Sequence, residues 1–116
     1  MKEISDLIAD VPDFPKPGIV FKDITTLLES PKGLKLVVDA FRERYADKGI
    51  THFAGIESRG FIFAAALAHE MGLGMVLIRK PGKLPRPTHS ASYALEYGED
   101  AVHIHQDAVG AGDKVV

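Results

Sequence analysis

The chain has 116 residues, 46% of them hydrophobic and 26% charged, a composition that fits one ordinary folded domain and excludes disordered, collagen-like or low-complexity architectures. Its 14 basic and 16 acidic residues leave a formal charge of −2, so no global field draws nucleic acid or an anionic membrane, and a bound anion needs a local site. It contains no cysteine, which removes disulfides, thiolate metal sites and a cysteine nucleophile, and no stretch approaches the ~20 apolar residues of a spanning helix.

Ile4, Leu7, Ile8 and Val11 recur at helical spacing, so residues 1–10 read as a short amphipathic helix ended by Pro12. The segment is acidic and lacks the basic and apolar regions of a signal peptide; a cytoplasmic protein is expected, with neither nucleic acid nor membrane as partner. Residues 12–18 hold Pro12, Pro15, Pro17 and Gly18 and read as a stiff irregular connection. Ser30 as N-cap, Pro31 in the first helical position and an apolar face of Leu34, Val37, Val38, Phe41 and Tyr45 predict a second helix, stopped by Gly49.

Thr51 to Ile56 has the length and apolarity of a strand and leads through Glu57-Ser58-Arg59-Gly60 into an alanine-rich helix, Phe61 to Met71, closed by Gly72. Met75 to Ile78 follows as a second buried strand. Strand, helix and strand in so short a span make a βαβ unit with parallel strands, and the fold class is α/β. Arg79 to Thr88 carries Arg79, Lys80, Lys83 and Arg86 among three prolines and a glycine, the mark of a functional loop. Ala91 to Tyr97 and Ala101 to Asp107 read as strands joined by a turn at Gly98 to Asp100, and Lys114-Val115-Val116 as the start of another. The sequence stops inside that strand, which reads as a truncated domain.

Glu57-Ser58-Arg59-Gly60 lies where a parallel strand turns into a helix, the edge at which open α/β sheets place ligands. Ser58 can cap, Gly60 permits close backbone approach, the helix N-terminus offers amide groups to an anion, and Arg59 adds a planar fork suited to phosphate. The same residues also suit a plain capping turn with a solvated arginine. The basic loop reads either as a cover for a polyanion or as a solvated surface; both segments follow neighbouring strands and are expected to face one crevice. Tyr93, Leu95 and Tyr97 alternate with Ser92, Ala94 and Glu96, and Glu96 is either an acid–base group or a surface carboxylate. His103 and His105 share a strand face without a third metal ligand nearby, and His52, His69 and His89 read as polar or packing residues. The sequence has neither a Gly-x-Gly-x-x-Gly fingerprint nor a Gly-x-x-x-x-Gly-Lys-Ser/Thr loop.

Asp13 to Ile24 (DFPKPGIVFKDI), Ala54 to Phe61 (AGIESRGF), Val76 to Pro85 (VLIRKPGKLP) and Ala91 to Gly98 (ASYALEYG), read in order, resemble the adenine phosphoribosyltransferases. The resemblance implies a type I phosphoribosyltransferase fold: a mostly parallel sheet flanked by helices, with residues 1–30 as a small N-terminal hood. Residues 31–116 would be the start of the α/β core, with 79–97 as a flexible catalytic loop, the whole being one C-terminally incomplete domain. It implies the conversion of adenine and phosphoribosyl pyrophosphate to AMP and pyrophosphate with Mg2+, in a homodimer. Val20, Phe21 and Lys22 would line the adenine site, Phe21 packing on the base, although Lys22 stands where the family carries arginine. Glu57 to Gly60 would be the pyrophosphate loop, often with a non-proline cis peptide, and Arg59 its main contact. Arg79, Lys80, Lys83 and Tyr97 would belong to the catalytic loop, with Glu96 handling the proton of the base. In the family the strand starting at Lys114 runs on into two aspartates and a Thr-Gly-Gly-Thr turn for the ribose and 5-phosphate, which this sequence does not contain. A nucleotide-binding regulator of the same fold, or an assembly fragment, is the alternative reading.

Overall fold

The computed structural model describes residues 2–116, which form two compact units meeting between Arg44 and Tyr45. The first begins with helix α1, Lys2–Asp6, followed by an antiparallel hairpin of β1, Ala9–Pro12, and β2, Val20–Asp23. The expected helix over residues 1–10 therefore ends early: Val11 suits a strand as well as a helix, and pairing Ala9 with Asp23, Val11 with Phe21 and Pro12 with Val20 decides for the strand, with Ile8 in the bend between. Pro12 is likewise inside regular structure, at the strand end where a missing N–H is tolerated. The connection is closed by Asp13, whose Oδ1 accepts from the Gly18 amide at 3.0 Å, and by the Phe14 amide donating to the Ile19 carbonyl at 3.1 Å; the Phe14–Pro15 peptide is cis.

Helix α2, Thr25–Glu29, and helix α3, Gly33–Tyr45, complete this unit. Ser30 serves both helices: its amide closes the short one by donating to the Leu27 carbonyl at 3.2 Å, and its hydroxyl accepts from the Lys32 amide at 3.3 Å at the entry to the long one, the bond expected of an N-cap. Helix α3 starts at Gly33, two residues later than expected, and Gly33 packs on Leu27, where a Cβ would lie 1.8 Å from the Leu27 carbonyl oxygen. Leu27, Val37 and Val38 are buried, whereas Phe41, placed on the apolar face by spacing alone, is 37% exposed.

The second unit holds β3, His52–Ile56, helix α4, Arg59–Met71, and β4, Gly74–Ile78, with β3 and β4 parallel and paired from His52↔Gly74 to Ile56↔Ile78. This is the expected βαβ unit. Gly72 ends α4 in the left-handed region at φ 66°, with the Leu73 amide donating to the Ala68 carbonyl at 2.8 Å. Phe53, Ala64, Leu67, Ala68 and Val76 form the core between sheet and helix. Lys114–Val116 pairs parallel with the other edge of β3 through His52↔Val115, the Ala54 amide donating to the Val116 carbonyl at 2.8 Å.

Strands β5, Thr88–Ala94, and β6, Glu99–His105, form an antiparallel hairpin joined to the end of β4 by reciprocal amide bonds between Arg79 and His103 at 3.0 and 2.7 Å. Both strands begin earlier than the sequence pattern suggested, and the turn moves to Leu95–Gly98, where the Leu95 amide donates to the Gly98 carbonyl at 2.9 Å. Glu96 and Tyr97 consequently sit on the tip of the hairpin instead of alternating along a strand.

Candidate functional site

In the first unit, β2 sends Phe21 and Asp23 to one side, as strand alternation requires, while Val20 and Lys22 take the other. Phe21, Phe14, Val11 and Asp23 line a concavity of about 430 Å³. Phe14 meets Phe21 edge to face with centroids 5.2 Å apart at 74°, which fixes the ring of Phe21. The Asp23 carboxylate accepts from the Thr25 hydroxyl at 2.7 Å and the Thr25 amide at 2.8 Å, and these bonds, the hydroxyl first, hold its pKa below the usual range. The result is a largely apolar recess with one carboxylate at its edge. Lys22 lies outside it, paired with Asp10 opposite on β1 at 2.5 Å, and Val20 is 55% exposed.

In the second unit the chain leaves β3 through Glu57 and Ser58, joined by a cis peptide, and enters α4 at Arg59. Ser58 occupies the N-cap position, but its hydroxyl makes no capping bond, so the expected side-chain cap is absent. Gly60 does permit close backbone approach, and what approaches is Gly55: a Cβ on Gly55 would lie 2.5 Å from the Gly60 carbonyl oxygen. The Arg59 side chain is exposed beside the amide-rich first turn of the helix.

Glu57 turns toward the neighbouring strand. Its Oε1 accepts from the Lys80 amide at 2.7 Å and from Arg79 Nε at 3.2 Å, and the Lys80 amide first, aided by Arg79, holds the carboxyl below its ordinary pKa. The Arg79 guanidinium also lies 5.8 Å from the centroid of Phe61, in the first turn of α4. The turn and the root of the basic loop are thus neighbours, as expected from their positions after adjacent strands. Sequence reading missed this pair because 22 residues separate its members.

Lys80 ends in a cluster of its own, its ammonium donating to Asp100 Oδ2 and to the Tyr93 hydroxyl, the latter at 2.7 Å. Asp100 first and Tyr93 second hold the Lys80 pKa above its usual value. Tyr93 and Asp100 face each other in the hairpin register, a relationship that the shifted strand boundaries concealed. Lys83 is exposed on the loop, and Tyr97 at the tip is 88% exposed. His103 pairs with Thr88 at 3.0 Å and His105 with Arg86 at 3.2 Å, and among the described residues no group of three His, Cys, Asp or Glu could hold a metal.

A curated adenine phosphoribosyltransferase of Acaryochloris marina is 56% identical to this chain over 114 residues, 98% of this chain and 67% of the relative. The chain belongs to the adenine phosphoribosyltransferase family. A crystal structure of the adenine phosphoribosyltransferase from Thermoanaerobacter pseudethanolicus matches with a TM-score of 0.91 at 45% identity, covering 98% of this chain and 66% of that one. The Saccharomyces cerevisiae enzyme, solved with D-2,5-dideoxy-2,5-imino-altritol 1,6-bisphosphate and adenine, matches with a TM-score of 0.91 at 36% identity over 98% and 67% of the two chains. No family model matches. The chain spans about two thirds of the length of these adenine phosphoribosyltransferases. No helix of the described residues is long and apolar enough to cross a membrane.

Proposed function

We propose that these residues serve the transfer of a phosphoribosyl group from phosphoribosyl pyrophosphate to adenine, giving AMP and pyrophosphate, with the identity to a curated adenine phosphoribosyltransferase over 98% of the chain as the observation that carries it. The recess at Phe21 takes the base, the ring of Phe21 lying on its face. The turn at Glu57 to Gly60 takes the pyrophosphate, through Arg59 and the amides of α4.

In the reaction the bond from the anomeric carbon to the pyrophosphate oxygen breaks with its electron pair on oxygen, and a ring nitrogen of adenine forms the new bond to carbon. Arg59, Lys80 and Lys83 stabilise the charge growing on the leaving group. Glu96 accepts the proton released by the base, and closure of the hairpin tip over the donor excludes water. The fit for magnesium is poor: among the described residues no carboxylate or histidine group is built to hold it, so a divalent ion would arrive chelated by the donor. A cytoplasmic homodimer is the setting that the family resemblance implies.

Titration calorimetry with adenine tests the base side. Binding that Phe21→Ala removes supports the reading; no binding by a folded chain, or binding unchanged in Phe21→Ala, overturns it.

A further inference from the structure

The β5–β6 register sets Tyr93 directly opposite Asp100, and the Lys80 ammonium closes on both: it donates to the Asp100 carboxylate and to the Tyr93 hydroxyl at 2.7 Å, while that hydroxyl donates to Asp100 at 3.1 Å. The cation also lies 5.4 Å from the Tyr93 ring centroid. The other end of Lys80 is fixed elsewhere, its backbone amide donating at 2.7 Å to Glu57, the residue that opens the anion turn. The root of this lysine therefore sits beside the turn while its charge is drawn away to the hairpin. Because the amide is anchored at the turn, a change of side-chain torsions would carry the ammonium toward it.

We infer that Asp100 is an affinity-setting residue for the pyrophosphate side, an internal counter-anion that Lys80 must leave before it can engage pyrophosphate. The inference rests on the proposed pyrophosphate role of the turn. The Lys80–Asp100 pair is only partly exposed, with side-chain accessibilities of 39% and 32%, so exchanging one anion for another leaves the lysine paired throughout and the cost falls on Asp100. Tyr93 acts in the same direction through its hydroxyl.

The test is titration of the 116-residue chain with inorganic pyrophosphate. Asp100→Asn is expected to tighten binding about two- to fivefold, the range of a partly exposed ion pair. Tyr93→Phe, which keeps the ring, is expected to tighten it less; it decides the matter if Asp100→Asn does not fold. In a Lys80→Met background the effect of Asp100→Asn should vanish. Tightening that persists there would mean only that a negative charge was removed from the surface, and would overturn the inference. Unchanged or weaker binding in Asp100→Asn would overturn it too, the latter showing that Asp100 holds Lys80 in place for the ligand. If the unaltered chain binds no pyrophosphate, the reading of the turn fails and the inference with it; if it binds and Arg59→Ala weakens it, the reading stands whatever Asp100 does.

Discussion

A Cβ placed on Gly55 would lie 2.5 Å from the carbonyl oxygen of Gly60 and 3.0 Å from the Cβ of Ala64, so the end of β3 and the first turn of α4 meet backbone to backbone. The turn at Glu57 to Gly60 owes its tightness to this contact. Gly55→Ala must push the helix off the strand and is expected to destabilise the fold by about 1–3 kcal/mol, the usual scale of overpacking. Gly60→Ala, where the nearest atoms are 3.3 Å away, should cost less. Urea denaturation of the two variants checks the order, and equal stabilities would refute it.

Arg59→Ala is expected to weaken pyrophosphate binding by about 1.5–3 kcal/mol, the scale of a hydrogen bond to a charged group. Calorimetry measures this directly. An unchanged affinity would remove Arg59 from the site.

The carboxyl of Glu57 is held below its ordinary 4.5, so the folded chain binds fewer protons there than the unfolded one between the two values, and stability rises with pH across that window. Its contribution is complete above the unfolded value and is lost as pH falls through the lower folded one. Asp23, Asp100 and Asp107, each held below 3.8, act with the same sign at slightly lower pH. Glu57→Gln should therefore flatten the acid limb of a melting-temperature profile below about pH 4.5. An acid limb as steep as that of the unaltered chain would mean that the bonds to Lys80 and Arg79 do not persist in solution.

The 116 residues by themselves are expected to make essentially no AMP. They contain no Thr-Gly-Gly-Thr turn for the 5-phosphate, and binding energy from such unreacting groups is what positions the anomeric carbon. Turnover near the ~1–10 per second of an ordinary enzyme, in a preparation free of host enzyme, would show that turn to be dispensable.

The sequence declared the βαβ unit because its signals are local: an alanine-rich helix closed by Gly72 between two apolar runs. The position of Arg59 at the mouth of α4 was legible for the same reason, since Glu57-Ser58-Arg59-Gly60 stands between an apolar run and the alanine-rich helix. Helix α2, five residues long, is too short to show a period, so Ser30 reads only as the start of the long helix and not also as the end of a short one. Around Tyr93 the alternation runs past the true end of β5, because Leu95 and Tyr97 continue the pattern into the turn; the pairing with β6 alone shows where the strand stops. The carboxylates that occupy the basic residues, Glu57 for Arg79 and Asp100 for Lys80, lie 22 and 20 residues away, beyond the reach of any local pattern.

The run Lys114–Val116 closes a pairing with residues made far earlier, the Thr51 hydroxyl donating to the Lys114 carbonyl across 63 positions of chain. On a ribosome adding ~5–20 residues per second, β3 emerges and then waits roughly 3–13 s for its second neighbour. During that interval its open edge is a template for any passing strand. Nascent chains stalled before Lys114 should for this reason be the ones on which trigger factors and other holding chaperones dwell longest, and synonymous codons that slow elongation between residues 57 and 113 should lower soluble yield without changing a single side chain.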